Sequence, residues 1–553
     1  NVAAYGDLAT AVSKIGSSHR MTLYITSILP IESDVTVTDN IVLDFDHGRG
    51  MLSPAAGVTV TIEGVLRAGR YQIFSGDGSV SFGSGAVSEL YPEWWYDGSG
   101  DWGSALITAV ETLFSIDGGG ALRLSGNYTI STPVSVTLSS VHTGNKAING
   151  YGARLISNLS SGYMMSIKAE ALVRNFSIRG LMFVGGSSED GGLKLDGGDG
   201  GSSQWLYSFT VEDIRMDGVN GNGVEITNNT FEGRLINVDI RNSSETTGYG
   251  IYLNEGTTGH VSSIHLIGCQ TSGYYYGVYA ANPVSDVQIY GGTYILAQKE
   301  GIHLATNQGQ GVFGAHVENN WESAGSLGNG GAGLFMSGKG VISGVVGSTN
   351  KYQRYVVRTY APSGDTITVI GGYYTGDIEY YLKNDSNVNG SVELIGSQTY
   401  TSIYGAGIVR RRGLDYQKCV TVSTSGTGED DLMSYSVKGN SMGMYGGFKI
   451  LAAGVKSGTA GNKTIKLYFG SSSVTVVPAS NDFSNWRVEA YIFNRWSTGA
   501  QAISWVSFYG THREEGVSTF SQDTTQDFTI KMTGECADAA DTISQTLWVV
   551  ERF

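Results

Sequence analysis

A Gly-hydrophobic-X-hydrophobic step returns five times in the middle of the chain. It reads GVEI at Gly223, GIYL at Gly250, GVYA at Gly277, GIHL at Gly301 and GLFM at Gly333, at intervals of 27, 27, 24 and 32 residues. A period of this length, filled by short strand-like segments between turns, belongs to a solenoid in which each coil buries its apolar side against the next. The step predicts an all-β chain built as a right-handed parallel β-helix. Such a rod is solid, so its chemistry is expected on an outer face or between chains. Within each step the hydrophobic residues point inward and the middle residue looks out.

Composition supports many short strands joined by tight turns: 80 glycines, 7 prolines and 32 tyrosines in 553 residues, with charged residues at only 15%. The formal net charge of −15 argues against nucleic acid or an anionic membrane as a partner. No apolar run reaches the length of a membrane span, so no membrane insertion is expected. Cys269, Cys419 and Cys536 are odd in number and far apart, which predicts buried free thiols rather than a disulfide framework. The chain opens at Asn1 without a Met or a basic-then-apolar leader, which suggests a processed product or a piece of something longer.

Four regions are predicted. Residues 1–90 form an N-terminal β-rich region with a short helix over Asp7 to Ile15. Residues 91–133 hold an aromatic cluster, Tyr91-Pro-Glu-Trp-Trp95, an amphipathic capping helix over Asp101 to Phe114, and the entry to the solenoid through Gly118-Gly-Gly120 and Gly126-Asn-Tyr-Thr-Ile130. The parallel β-helix occupies 134–412, with its coils over roughly 134 to 400. After Arg410-Arg-Arg412, read as a solvated linker or salt-bridged junction, longer alternating strands predict a jelly-roll-like C-terminal β-sandwich over 413–553.

Those opening motifs, the coils and the terminal sandwich resemble bacteriophage tailspikes, the pectate-lyase-like β-helix depolymerases of capsule or lipopolysaccharide. The resemblance covers nearly the whole chain. It implies a homotrimer in the virion tail, acting outside the host at the bacterial cell surface, that recognises and cleaves a surface polysaccharide. Sparse cysteine fits synthesis in a reducing cytoplasm.

The middle residues of the five steps are Glu225, Tyr252, Tyr279, His303 and Phe335. Stacked in register at about 4.8 Å, they would form a ladder suited to sugar rings, or an aromatic stack that only stabilises the coils. The preceding strands align as Arg215, Asp239, His265, Gln288 and His316, followed two residues later by Asp217, Arg241, Ile267, Tyr290 and Glu318. A slip of one residue would exchange inside for outside in this alignment. Tyr290, His316 and Trp321 join the ladder residues as expected glycan contacts.

For catalysis the first choice is Gly314-Ala-His-Val-Glu-Asn-Asn-Trp-Glu322, which resembles a hydrophobic-Glu-Asn segment of pectate-lyase-like tailspikes. Glycoside hydrolysis uses one carboxylic acid to protonate the leaving oxygen and a second carboxylate as base or nucleophile. Glu318, expected beside the Tyr290 ring with a desolvated carboxyl, takes the acid role. Four extended residues span about 13 Å, beyond the roughly 5 to 9.5 Å these mechanisms use, so Glu322 pairs with Glu318 only if Asn319-Asn320 turns the chain. Otherwise the partner comes from another coil or subunit. Asp213, Asp217 and Asp239, near Arg215 and Arg241, form an alternative site or a surface ion-pair ladder. Asp286 is a further candidate acid.

No phosphate loop or His-Glu-x-x-His motif occurs, and Asp196-Gly-Gly-Asp199 lacks the repeated calcium-binding nonapeptide, so no metal or cofactor is expected. Two other functions stay open: a lyase acting on a uronate-containing glycan through His265, His303, His316 or a tyrosine, and a glycan-binding adhesin without catalysis.

Overall fold

The computed structural model describes residues 1–552 apart from 202, 244–246, 257–258, 281–282, 307–308, 321–330, 350–352, 354, 363–364, 377–379, 386–390, 396–402, 405–407, 443–445, 459–460 and 482. It divides into two compact units. The first comprises Asn1–Phe335, Gly347–Arg354 and Thr375–Asp377, and the second Met336–Val346, Tyr355–Tyr374 and Ile378–Phe553.

The first unit is a parallel solenoid whose coils each contribute a long strand, a short strand and a third strand. One such coil runs through Thr230–Ile236, Asp239–Arg241 and Tyr249–Asn254, and the next through Val261–Ile267, Gln270–Ser272 and Tyr276–Ala280. All neighbouring coils pair in parallel. On the third face Val224, Ile251, Val278 and Ile302 are register partners and are fully buried, as the repeat predicts. Leu235, Leu266, Ile289 and Val312 form the matching inner column on the long face.

The glycines of the first three steps answer to close approach of the coils. A Cβ on Gly223 would stand 2.5 Å from the Gly250 carbonyl oxygen, and one on Gly250 would stand 2.5 Å from that of Gly277. Any side chain there would separate adjacent coils. Gly250→Ala should therefore destabilise the first unit by about 1–3 kcal/mol, the usual range for overpacking, measurable as a lower denaturant midpoint for that unit.

A corner residue with left-handed backbone separates each long strand from the short one. Asp213, Asn237, Gly268, Gly291 and Gly314 have φ of 52°, 54°, 64°, 67° and 66°. Asp and Asn tolerate this conformation better than other residues with a side chain, and glycine meets no penalty. The Asn237 amide also donates to the Asp213 carboxylate at 3.2 Å.

Parallel winding begins far earlier than residue 134. Met21–Ile25 pairs in parallel with Ile41–Phe45, Ile28–Ile31 with Met51–Pro54, and Val35–Val37 with Thr59–Ile62 and then Ser79–Phe82. The expected helices span Leu8–Ile15, capped by the Asp7 carboxylate, and Gly103–Ser115. The second is anchored by Asp101, which accepts from the amides of Gly103 and Ser131, both at 2.9 Å, and from the Thr132 hydroxyl at 2.7 Å. Trp94 of the aromatic cluster is buried and donates its indole N–H to Gly69 O at 2.9 Å.

In the second unit, parallel strands such as Gly340–Ser343, Thr366–Ile370 and Ser391–Ile395 precede an antiparallel sandwich. The change of pairing happens inside one strand, Ile408–Lys418. Ile408 to Arg412 pair in parallel with Ser391 to Ile395, whereas Gly413 to Lys418 pair antiparallel with Trp548 to Arg552. Arg410, Arg411 and Arg412 thus belong to a strand and not to a linker. The sandwich core holds Trp548, Phe448, Phe469 and Ile450. Cys269 and Cys536 are buried as expected, but Cys419 is exposed near the end of the switching strand.

Candidate functional site

The third face of the first unit carries the outward ladder. Glu225 pairs with Tyr252, Tyr252 with Tyr279, and Tyr279 with His303. Ring centroids are 5.9 Å apart between Tyr252 and Tyr279, 4.7 Å between Tyr279 and His303, and 4.7 Å between His303 and Phe335. The residue before each glycine lies beside the ladder: Asn222 donates to Glu225, Tyr249 stacks on Tyr252, Tyr276 lies 4.9 Å from Tyr279, and Glu300 reaches His303. Tyr249 stacks on Tyr252 at 4.4 Å and on Tyr276 at 5.7 Å. The sequence reading missed these residues, although they occupy one fixed place in the repeat.

Two buried carboxylates flank the aromatic patch, one at its first rung and one beside His303. Glu225 is buried and accepts from the Tyr163 hydroxyl and, at 2.9 Å, from the Asn222 amide, with the Lys194 ammonium 3.2 Å away. Glu300 is buried beside His303, with Oε2 3.5 Å from Nδ1. Burial is the main cause that pushes the hydroxyls of Tyr249, Tyr252 and Tyr276 upward, to about 12 for Tyr252, where the charges of Tyr249 and Glu225 add to it. Burial followed by the Glu225 charge does the same to Tyr163. Near neutrality these phenols keep their protons and serve as hydrogen-bond donors, not bases.

The sign of the Tyr252 shift sets a pH window. Its ordinary value is 10.0 and its folded value is about 12, so the neutral form is favoured in the fold. Stability from this group is complete below pH 10 and is lost as pH rises towards about 12. Alkaline titration followed by tyrosinate absorbance should show the exposed tyrosines ionising first. The Tyr252→Phe variant should lose less stability than the parent over this window.

The other predicted site residues lie on different faces. Arg215, Asp239, Gln270, Thr293 and His316 form one column on the short strands, and Asp217, Arg241, Ser272, Ile295 and Glu318 form the next. His265, Gln288, Ile267 and Tyr290 belong to the long face instead. The expected alignment mixed the two strands because the left-handed corner lies between them. Tyr290 consequently stacks on Phe313 at 5.2 Å, and the contacts of the Glu318 carboxylate are His316 Nε2 at 3.3 Å and the Asn319 amide at 3.2 Å. His316 Nε2 also meets Ser348 Oγ at 3.2 Å. Trp321 and Glu322 lie outside the described residues.

Asp239 is held by Arg241 at 2.8 Å, and Asp217 by Arg215 at 2.9 Å, an ion-pair ladder on an exposed strip. Three rungs separate Asp239 from His316, about 14 Å at 4.8 Å per rung, so Asp239 and Glu318 belong to alternative sites and not to one pair. Asp286 accepts from the Ser263 hydroxyl at 2.9 Å and the Gln288 amide at 3.1 Å. Among the described residues no group of three or more His, Cys, Asp and Glu side chains is arranged to hold a metal ion, and no helix is long and apolar enough to cross a membrane.

No protein-family model matches the chain, and no curated protein matches its sequence. Solved structures with similar winding include the enzymatically active domain of bacteriophage CBA120 tailspike protein 2, at 11% identity over 84% of this chain and 82% of that one, with a TM-score of 0.42. The Dettilon tailspike protein is similar at 12% identity over 83% of this chain and 94% of that one, TM-score 0.32. Phage tailspikes thus stand among its structural neighbours. So does a DFA-IIIase from Arthrobacter chlorophenolicus without its lid, at 14% identity over 59% of this chain and 98% of that one, TM-score 0.37.

Proposed function

We propose that this chain is a phage tailspike depolymerase, a homotrimer of the virion tail that binds a bacterial surface polysaccharide and hydrolyses it internally. The observation that carries the reading is the outward double column of Tyr249, Tyr252, Tyr276, Tyr279, His303 and Phe335, with the buried carboxylates of Glu225 at its first rung and Glu300 beside His303. Aromatic faces pack on the C–H faces of sugar rings while flanking polar groups take the hydroxyls. Glu225, Tyr252, Tyr279 and His303 span three rungs, about 14 Å, which suits an extended glycan better than a single sugar.

Glu318, which stands on the short-strand face and not within the aromatic patch, is the proposed acid. Its carboxylate is about one-third exposed, and the His316 imidazole beside it can return its proton between turnovers. The partner carboxylate comes from Glu322, from another coil or from a neighbouring subunit. Trimer formation would also cover the exposed apolar residues Tyr491, Phe493, Phe508 and Val517 on one sheet of the sandwich. Burial keeps the Tyr252 and Tyr276 hydroxyls protonated, so neither of these two serves as the base of a lyase reaction.

The test is incubation with a panel of purified bacterial capsules and O-antigens, with products read by mass spectrometry. Hydrolysis gives oligosaccharides with new reducing ends and one added water per cut, a lyase gives unsaturated uronates, and an adhesin binds without cutting. On the glycan that is bound, Tyr279→Ala should weaken affinity roughly two- to tenfold, the scale of one aromatic contact. Light scattering should report three times 58.7 kDa, and a monomer would remove the assembly from the proposal.

A further inference from the structure

Away from the aromatic patch, the turn after Tyr249–Asn254 and the start of the strand Ser285–Tyr290 bring three side chains into a relay. His260 Nδ1 lies 3.0 Å from Glu255 Oε1, and His260 Nε2 lies 3.1 Å from Ser285 Oγ. A carboxylate only accepts, so Nδ1 carries the ring proton. Nε2 of the neutral ring is then the acceptor and Ser285 the donor. This is the arrangement in which a serine hydroxyl is activated by an imidazole that a carboxylate orients.

The opposite placement on the ring sets this group apart from its nearest counterpart. His316 also meets a serine and a carboxylate, but Ser348 and Glu318 both approach Nε2, so no relay passes through that ring. At His260 the two partners hold opposite nitrogens. The histidine side chain is 46% exposed and Glu255 20%, and Ser285 is partly buried. An apolar shelf adjoins it: the Phe231 ring lies 6.1 Å from His260, and Trp205 lies 6.0 Å from Phe231. Ser262, the register partner of both Phe231 and Ser285, continues the rung.

We propose that Ser285, His260 and Glu255 form a serine esterase site that removes O-acetyl groups from a polysaccharide. The carrier rests on the glycan reading above; the ester chemistry does not. Ser285 Oγ attacks the acetyl carbonyl carbon and passes its proton to His260 Nε2. The bond to the sugar oxygen breaks, and that oxygen takes the proton from His260. Water, deprotonated by His260, then attacks the acetyl-serine, releasing acetate and a proton and restoring Ser285. The net reaction is ester and water to acetate, alcohol and a proton. Glu255 is the positioning residue, since it touches only the imidazole.

The full chain is treated with a fluorophosphonate probe and, separately, assayed for acetate release from 4-nitrophenyl acetate. The expected result is covalent labelling at Ser285, located by peptide mass spectrometry, and hydrolysis that falls at least about a hundredfold in Ser285→Ala and His260→Asn. Glu255→Gln should lower hydrolysis and shift its pH profile, which a purely structural role would not do. Thermal unfolding of the Ser285→Ala protein, expected to match the parent, separates lost chemistry from lost folding. A parent protein that takes no label at Ser285, or hydrolyses the ester no faster than Ser285→Ala, overturns the site. Failure to cut any capsule leaves this result standing, because neither reagent contains a glycosidic bond.

Discussion

Asp541→Ala should destabilise the second unit by about 3–5 kcal/mol, the usual effect of leaving one member of a buried ion pair alone. Lys463 and Asp541 have side-chain exposures of 0% and 1% and meet at 2.6 Å inside the sandwich. The ammonium also donates to the carbonyls of Gly458 at 3.2 Å and Gly461 at 2.7 Å and to Asn481 Oδ1 at 3.0 Å. These neutral acceptors satisfy its geometry but not its charge. Calorimetry should show the sandwich transition lowered by on the order of 10 °C, with the solenoid transition little changed. Replacing both partners, as Lys463→Met with Asp541→Leu, should recover most of the loss, since two apolar groups require no compensation. A single variant that melts with the parent would mean that water reaches the pair.

Glu318→Gln should lower depolymerisation at least about a hundredfold while glycan binding survives, because the amide keeps the shape but has no proton to exchange. The Gln variants of Glu225 and Glu300 belong in the same assay. Their carboxylates border the aromatic patch and are buried, so their loss should act mainly on binding. A large fall confined to Asp239→Asn would move catalysis to the earlier coils and their ion-pair strip. Full activity of the Glu318 variant on a glycan that the parent degrades would eliminate the assignment.

What was legible in the sequence follows from what the coils demand of each residue. The glycine recurs at Gly223, Gly250 and Gly277 because a Cβ would strike the next coil's carbonyl, and its hydrophobic neighbours recur because they stack inside. The column of Glu225, Tyr252, Tyr279 and His303 could therefore be read in register before any coordinate was known. The N-terminal coils escaped because alternation alone does not distinguish parallel from antiparallel pairing, and no glycine step marks them. Tyr290 was set beside Glu318 because the corner that parts the two strands is one left-handed residue, written as Asp, Asn or Gly with no fixed identity. The Glu255, His260 and Ser285 relay carries no sequence signal. Its members lie 5 and 25 positions apart on a turn and on the following coil.

The glycine column also acts as a ruler. Because the coils of Gly223, Gly250 and Gly277 each seat that glycine under the next carbonyl, the patch can lengthen or shorten there only by whole coils, in increments of about 4.8 Å. Inserting one residue within a strand would turn the tyrosines inward, whereas duplicating the segment from 249 to 275 would add one more rung of rings in register. A lineage built this way would change the length of glycan it grips in discrete steps, by recombination between coils, and would tune its grip on each sugar by single substitutions at the outward positions.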